Sequence, residues 1–311
     1  MKMKKIMVVF GTRPEAIKMC PLVNELKKRS SMKTLVCVTG QHKQMLKQVL
    51  DIFDVIPDYD MAIMKDKQTL FDITSKILMK IREILEVENP DVVIVHGDTS
   101  TTFATSLACF YLNIPVAHVE AGLRTHDILN PYPEEFNRQA VSIIASYNFA
   151  PTVRAKQNLI SEGKSEERIW VTGNTVIDAF HMNPIVREIA KEELSGCERI
   201  HIIDPVDVID CHNLMAHSYL ILTDSGGIQE EAPALGIPVL VLRNTTERPE
   251  GIDAGTLKLV GTNEESIYMH FKELLENKTE YQNMAQAVNP YGDGHACERI
   301  ADILEKGYTS I

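Results

Sequence analysis

The chain has 311 residues, more than one ordinary core accommodates, so two α/β domains of roughly 100 to 200 residues each are expected. A hydrophobic share of 44% and a charged share of 24% exclude a fibrous or wholly disordered chain. A net charge of −11 with a pI near 5.4 excludes nucleic acid and an anionic membrane surface as principal partners, because the summed field repels polyanions.

The N-terminus, MKMKKIMVVFGTRPE, has a basic start and a short apolar run, which Arg13 and Glu15 end before a signal-peptide core is complete. No later run reaches about 18 apolar residues. The chain therefore reads as cytoplasmic, with no membrane partner. KIMVVF is a strand followed by a helix from Glu15, TLVCVT a strand followed by a helix from Gln41, and DVVIVHG a strand followed by a helix from Thr101. IPVAHVE, YNFA and RIWVTG add strands, with helical PEEFNRQAVSIIAS between the first two. Alternation of this kind predicts a parallel doubly wound sheet, and continuous apolar runs predict strands covered on both faces. After Ile177 the rhythm thins: ERIHII, YLILT and PVLVL are strands, with helices around Val206 to Ala216 and Ile228 to Leu235. From Glu264 to Lys306 the pattern is helical, interrupted by the turn NPYGDG. The expected architecture is a Rossmann-like domain over 1–180, a smaller Rossmann-like domain over 181–290, and a helix over 291–311 packing across the junction. Cys20, Cys37, Cys109, Cys197, Cys211 and Cys297 show no CxxC or Cys/His spacing, so neither zinc nor a disulfide framework is indicated.

In open parallel sheets ligands bind outside the carboxyl ends of the strands. GTRPEAIK follows the first strand. Gly11 allows a tight turn, Pro14 suits a first helical turn, Arg13 can fork onto a phosphate or carboxylate, and Lys18 lies one turn on. HGDTSTT follows the next relevant strand, and Asp98, taken singly, reads best as a helix cap. VEAGLRT places Glu120 and Arg124 at the corresponding edge, where a carboxylate directly after a buried run needs a partner or a function. PYPEEFNR brings Glu134, Glu135 and Arg138. Together Asp98, Glu120 and Glu134, beside Arg13, Arg124 and Arg138, form a cluster suited to general acid/base work. In the second half, LTDSGGIQEE offers Ser225, Gly226 and Gly227 to a diphosphate, Glu230 or Glu231 to ribose hydroxyls, and TTERPEG adds Arg248.

In combination GTRPEAIK, GDTSTTFA, HVEAGLR, PYPEE, GNTVIDA, HMNPIVRE, LTDSGGIQEEAP, LRNTTERPEG and NPYGDG resemble, in order and over nearly the whole chain, the non-hydrolysing UDP-N-acetylglucosamine 2-epimerases. The resemblance implies the two-domain fold of B-type glycosyltransferases and interconversion of UDP-GlcNAc and UDP-ManNAc, by anti-elimination of UDP and re-addition, without NAD or metal. It implies Asp98, Glu120 and Glu134 as acid/base groups, Arg13 and Lys18 near the phosphates, and Ser225, Gly226, Gly227, Glu231 and Arg248 on UDP. It also implies a homodimer, and a second, activating UDP-GlcNAc site with Gln41, Gln44, Lys67 (where an arginine is common) and His181. The competing reading of Gln41 to Gln44 is an exposed helix start.

Two departures stand out. GNTVIDAF runs straight into HMNPIVRE, where the family has a strand, a loop with a catalytic histidine, a helix and another strand. An internal deletion of roughly 50 to 70 residues is implied on ordinary βαβ lengths, with poor or absent turnover as its consequence. Cys211 stands where the family often has an aromatic beside the base. A UDP-sugar glycosyltransferase of the same architecture, or a non-catalytic UDP-sugar-binding remnant, are the rival readings.

Overall fold

A computed structural model describes residues 3–40, 43–64, 68–175, 203, 206, 208–246, 248–292 and 294–306. The chain divides into two compact units, Met1–Val176 with Pro290–Ile311, and Ile177–Asn289. Each is described by itself.

In the first unit the described residues form seven parallel strands in the order β3-β2-β1-β4-β5-β6-β7. These are β1 Lys4–Phe10, β2 Met32–Val38, β3 Tyr59–Asp60, β4 Val92–His96, β5 Val116–Val119, β6 Tyr147–Ala150 and β7 Ile169–Val171. The connecting helices are α1 Arg13–Lys27, α2 Lys43–Ile52, α3 Leu70–Glu88, α4 Ser100–Tyr111, α5 Glu134–Ile144 and α6 Val153–Ser161. All five residues of β4 are buried, as a strand covered on both faces requires. One face of the sheet, carrying Met7, Val9, Val93 and Val95, packs on Ile77 and Ile81 of α3, Ala104 and Ala108 of α4 and Val141 of α5. The strand order reverses at β1, which pairs with both β2 and β4, so the loops after β1 and β4 flank the topological switch point.

The second unit holds α7 Val208–Ala216, β8 Ile221–Thr223, α8 Ile228–Ala234, β9 Val239–Val241, α9 Pro249–Asp253, β10 Leu257–Leu259, α10 Glu264–Glu276 and α11 Lys278–Ala285. Its described strands make a parallel sheet, β10-β9-β8. One apolar cluster joins Val239 and Val241 to Cys211, Met215, Ile228 and Ala232; another joins Leu240 to Leu274 and Met284. Both faces of this small sheet are thus covered. Cys211 is a core residue of α7, 4% exposed, and plays the part of a small buried hydrophobe. The last helix, α12 Ala296–Lys306, belongs to the first unit. It buries Ala296, Ile300, Ala301 and Leu304, and its Asp302 and Glu305 pair with Arg29 beyond the end of α1.

Several elements lie outside the sequence expectations. β3 has two residues and β10 three, too short to carry a periodic signal. α3 carries a capping box, Thr69 with Asp72, that a scan for start signals detects. The segment around the GNTVIDA–HMNPIVRE junction, the expected strand at ERIHII except Ile203, and Gln41, Lys67 and His181 lie outside the described residues.

Candidate active site

The turn between β1 and α1 is built by a capping box. Thr12 caps α1, and the Glu15 carboxylate reaches back to the backbone N–H groups of Gly11 and Thr12, at 3.0 and 2.7 Å. The other Glu15 oxygen accepts from the Thr99 hydroxyl at 2.8 Å, so one buried carboxylate ties together the two loops at the switch point. Burial pushes the Glu15 carboxyl up from its ordinary value, against the hydrogen bonds that favour its charged form. Gly11 is required for close approach: a Cβ there would stand 2.0 Å from the Thr39 hydroxyl and 2.6 Å from that of Thr101. Arg13 and Pro14 open α1, with Arg13 buried.

Glu120 follows β5 directly and adopts a left-handed backbone, φ 64°, a conformation that costs a side-chain-bearing residue energy and so points to a functional constraint. Its side chain, 7% exposed, accepts from the Lys18 ammonium at 2.7 Å. Asn174 donates to the same oxygen at 3.1 Å, and His96 Nε2 lies 3.8 Å from the other. Lys18 is itself 6% exposed. The structure therefore brings Lys18 to the carboxylate of Glu120, whereas the resemblance assigns it to phosphate.

Asp98 is not a cap. Thr99 holds that position, its hydroxyl accepting from the Thr102 N–H, which leaves the Asp98 carboxylate to pair with Arg138 of α5. Asn137 adds a bond to the Asp98 carbonyl at 2.8 Å. The neighbouring acids at the start of α5 differ sharply. Glu135 is fully buried and accepts from the Thr125 and His126 amides, Gln139 and Arg138. Glu134 is half-buried and accepts no hydrogen bond among the described residues, so it is available for exchange with solvent or ligand. Arg124, expected beside the carboxylate cluster, turns inward: it forks onto Glu162 at 2.7 and 2.8 Å and donates to Ser142. It is structural.

His118 of β5 is fully buried and contacts the Gly97 carbonyl through Nε2 at 2.7 Å, so Nε2 carries the proton and donates. Its Nδ1 meets no partner among the described residues. Protonating that nitrogen would bury a charge, and burial lowers the imidazole pKa from 6.5 to about 4. Between these values the unfolded chain binds a proton that the folded chain refuses, so stability falls as pH drops from 6.5 toward about 4. Urea unfolding of wild type and His118→Asn across this window is expected to show a shallower pH slope for the variant.

In the second unit Ser225, Gly226 and Gly227 lie between β8 and α8, as expected. The Arg248 guanidinium lies against Gly226; a Cβ there would stand 2.6 Å from one of its nitrogens, so the guanidinium would have to shift. Arg248 pairs with buried Glu230, and its backbone N–H donates to the Thr246 hydroxyl at 3.1 Å. Glu231 contacts His212 Nε2 at 3.1 Å. Burial lowers the His212 pKa, which disfavours the charged imidazolium in this contact. Of the residues assigned to an activating site, Gln44 lies in α2, though its side chain is not among those described.

Sequence reasoning missed Glu15, His96, His118 and Asn174 as contributors. The Thr12/Glu15 spacing is a readable capping signal; the other three contacts are tertiary and leave no local trace.

The family model described as UDP-N-acetylglucosamine 2-epimerase matches residues 24–184 and 179–305. The UDP-N-acetylglucosamine 2-epimerase of Bacillus subtilis (strain 168) is 49% identical over 363 aligned residues, covering 98% of this chain and 96% of that protein. The crystal structure of UDP-GlcNAc 2-epimerase from Neisseria meningitidis bound to UDP-GlcNAc superposes with a TM-score of 0.94 at 41% identity, over 98% of this chain and 100% of that one. The putative UDP-N-acetylglucosamine 2-epimerase from Listeria monocytogenes gives a TM-score of 0.92 at 47% identity, over 96% of this chain and 95% of that one. Among the described residues no helix is long and apolar enough to cross a membrane. With half the chain and more matched by one family's model, and relatives aligned end to end, the chain belongs to the UDP-N-acetylglucosamine 2-epimerase family.

Proposed function

We propose that the chain is a non-hydrolysing UDP-GlcNAc 2-epimerase, acting as a cytoplasmic homodimer and interconverting UDP-GlcNAc and UDP-ManNAc. The observation that carries this reading is the buried Glu120, held on an ammonium beside the switch point, with Asp98 and Glu134 at the neighbouring strand and helix ends. A carboxylate removes the proton from C2, the C1–O bond to UDP breaks, and a C1=C2 double bond forms. Return of a proton to the opposite face of C2 and re-formation of the C1–O bond give the epimer. General acid/base transfer of this kind contributes roughly 10²- to 10⁴-fold. Glu120, Asp98 and Glu134 are the proton carriers. Arg13 is the phosphate partner in the first unit, since Lys18 is spent on Glu120. Ser225, Gly226, Gly227, Glu231 and Arg248 take UDP in the second.

A second reading, weakened turnover through an internal deletion, is favoured by one observation. The alignment to the Bacillus subtilis protein runs to 363 positions although this chain has 311 residues, and the two family-model matches meet at 179–184. Purified protein incubated with UDP-GlcNAc in D₂O, without acceptor, is expected to yield UDP-ManNAc with deuterium at C2. UDP binding without deuterium incorporation would assign the chain to a binding remnant, and a requirement for an acceptor would assign it to sugar transfer.

A further inference from the structure

The chain leaves the first unit after Val176 and returns at Pro290, and the residues flanking these two crossings are fastened to each other inside that unit. The Asn174 backbone N–H donates to the Tyr291 carbonyl at 2.9 Å. Gly173 and Gly292, both with positive φ, meet backbone to backbone, and a Cβ on Gly292 would stand 3.2 Å from the Gly173 Cα. Arg299 of α12 donates to the Thr172 carbonyl at 3.1 Å. From this doubled strap the Asn174 side chain reaches 3.1 Å to Glu120, onto the oxygen that Lys18 occupies at 2.7 Å.

We propose that Asn174 is a positioning residue for Glu120: held by the Tyr291–Gly292 strap, its amide fixes the carboxylate's rotation so that the second oxygen faces the reacting carbon. This rests on the reading of Glu120 as an acid/base group. The Lys18 stem is flexible, and the carboxylate's last torsion is broad, as for sp³–sp² bonds generally. A second donor, on a segment pinned at three backbone points, removes that freedom. Misplacement of a reacting group by about 1 Å costs on the order of 100-fold in rate. The amide also donates to the charged form and so favours it. Among the described residues, the titratable groups beside Glu120 include Lys18 from α1, His96 at the end of β4 and His118 on β5; Arg124 and Arg138 act on His118 and pair with carboxylates of their own.

The test uses Asn174→Ala, which keeps the backbone bond to Tyr291 and so leaves the strap intact. Expected is a fall in kcat of roughly 10- to 100-fold with KM for UDP-GlcNAc unchanged within about twofold, and no further loss when the substitution is added to Glu120→Gln. Independently of turnover, carbon-detected NMR of ¹³C-glutamate-labelled protein, with Glu120 assigned by its absence in Glu120→Gln, is expected to show its titration midpoint rising in Asn174→Ala, because a donor to the charged form is lost. Full kcat with an unmoved midpoint, or an equal further loss in the Glu120→Gln background, overturns the proposal. Ordinary turnover by Glu120→Gln itself overturns instead the reading of Glu120, and leaves the NMR midpoint to decide whether Asn174 acts on that carboxylate.

Discussion

Glu120→Gln is expected to lower epimerase turnover by roughly 10²- to 10⁴-fold, the range general acid/base catalysis supplies. The choice of glutamine follows from the surroundings. Its carbonyl oxygen can still accept from Lys18 and Asn174, which meet the native carboxylate at 2.7 and 3.1 Å, so shape and hydrogen bonding persist while the proton-carrying group is lost. Alanine is a different experiment. It removes the carboxylate from an ammonium whose side chain is 6% exposed, and breaking a buried pair from one side typically costs about 3–5 kcal/mol. Both substitutions leave the Lys18 charge uncompensated, but only alanine also removes its hydrogen-bond acceptor, so Glu120→Ala should lose more stability than Glu120→Gln at a similar loss of activity. Turnover by the glutamine variant close to that of wild type would remove Glu120 from the chemistry and return its left-handed backbone to a purely architectural explanation.

That separation was partly legible in the sequence. A glutamate directly after the apolar run VAHV demands a partner or a function on desolvation grounds, and the order of strands and loops places it at a carboxyl edge. The partner could not be read, because Lys18 lies 102 residues earlier and meets Glu120 only through the parallel sheet. The same limit explains Asp98 and Arg124. Locally Asp98 is a good cap, but Thr99 takes that place, and a guanidinium from α5 claims the aspartate. Arg124 reads as a neighbour of the carboxylate cluster, but the fold gives it Glu162 as a partner. Among adjacent acids, helix rotation decides. Successive side chains on α5 point about 100° apart, so Glu135 is turned into the protein while Glu134 stays at its edge. The sequence names the pair, and only the helix phase distinguishes them.

Arg248 presents the reverse difficulty, since the contacts described for it are structural while the family resemblance assigns it to UDP. Its guanidinium lies over Gly226 and pairs with Glu230, whose side chain is 2% exposed. Arg248→Ala is therefore expected to destabilise the second unit by about 3–5 kcal/mol, and loss of UDP binding in that variant would be uninformative. The double substitution Arg248→Met with Glu230→Gln removes both charges at similar volume, a replacement that is often neutral for stability. If Arg248 also grips the diphosphate, the double variant should melt near the wild-type temperature yet bind UDP about 10- to 100-fold more weakly, the equivalent of one hydrogen bond to a charged group. Calorimetric titration with UDP beside a thermal scan measures both quantities. Wild-type affinity in a well-folded double variant would restrict Arg248 to holding α8 and its glycine turn, and the burden of phosphate recognition in that unit would pass to the Ser225–Gly227 backbone.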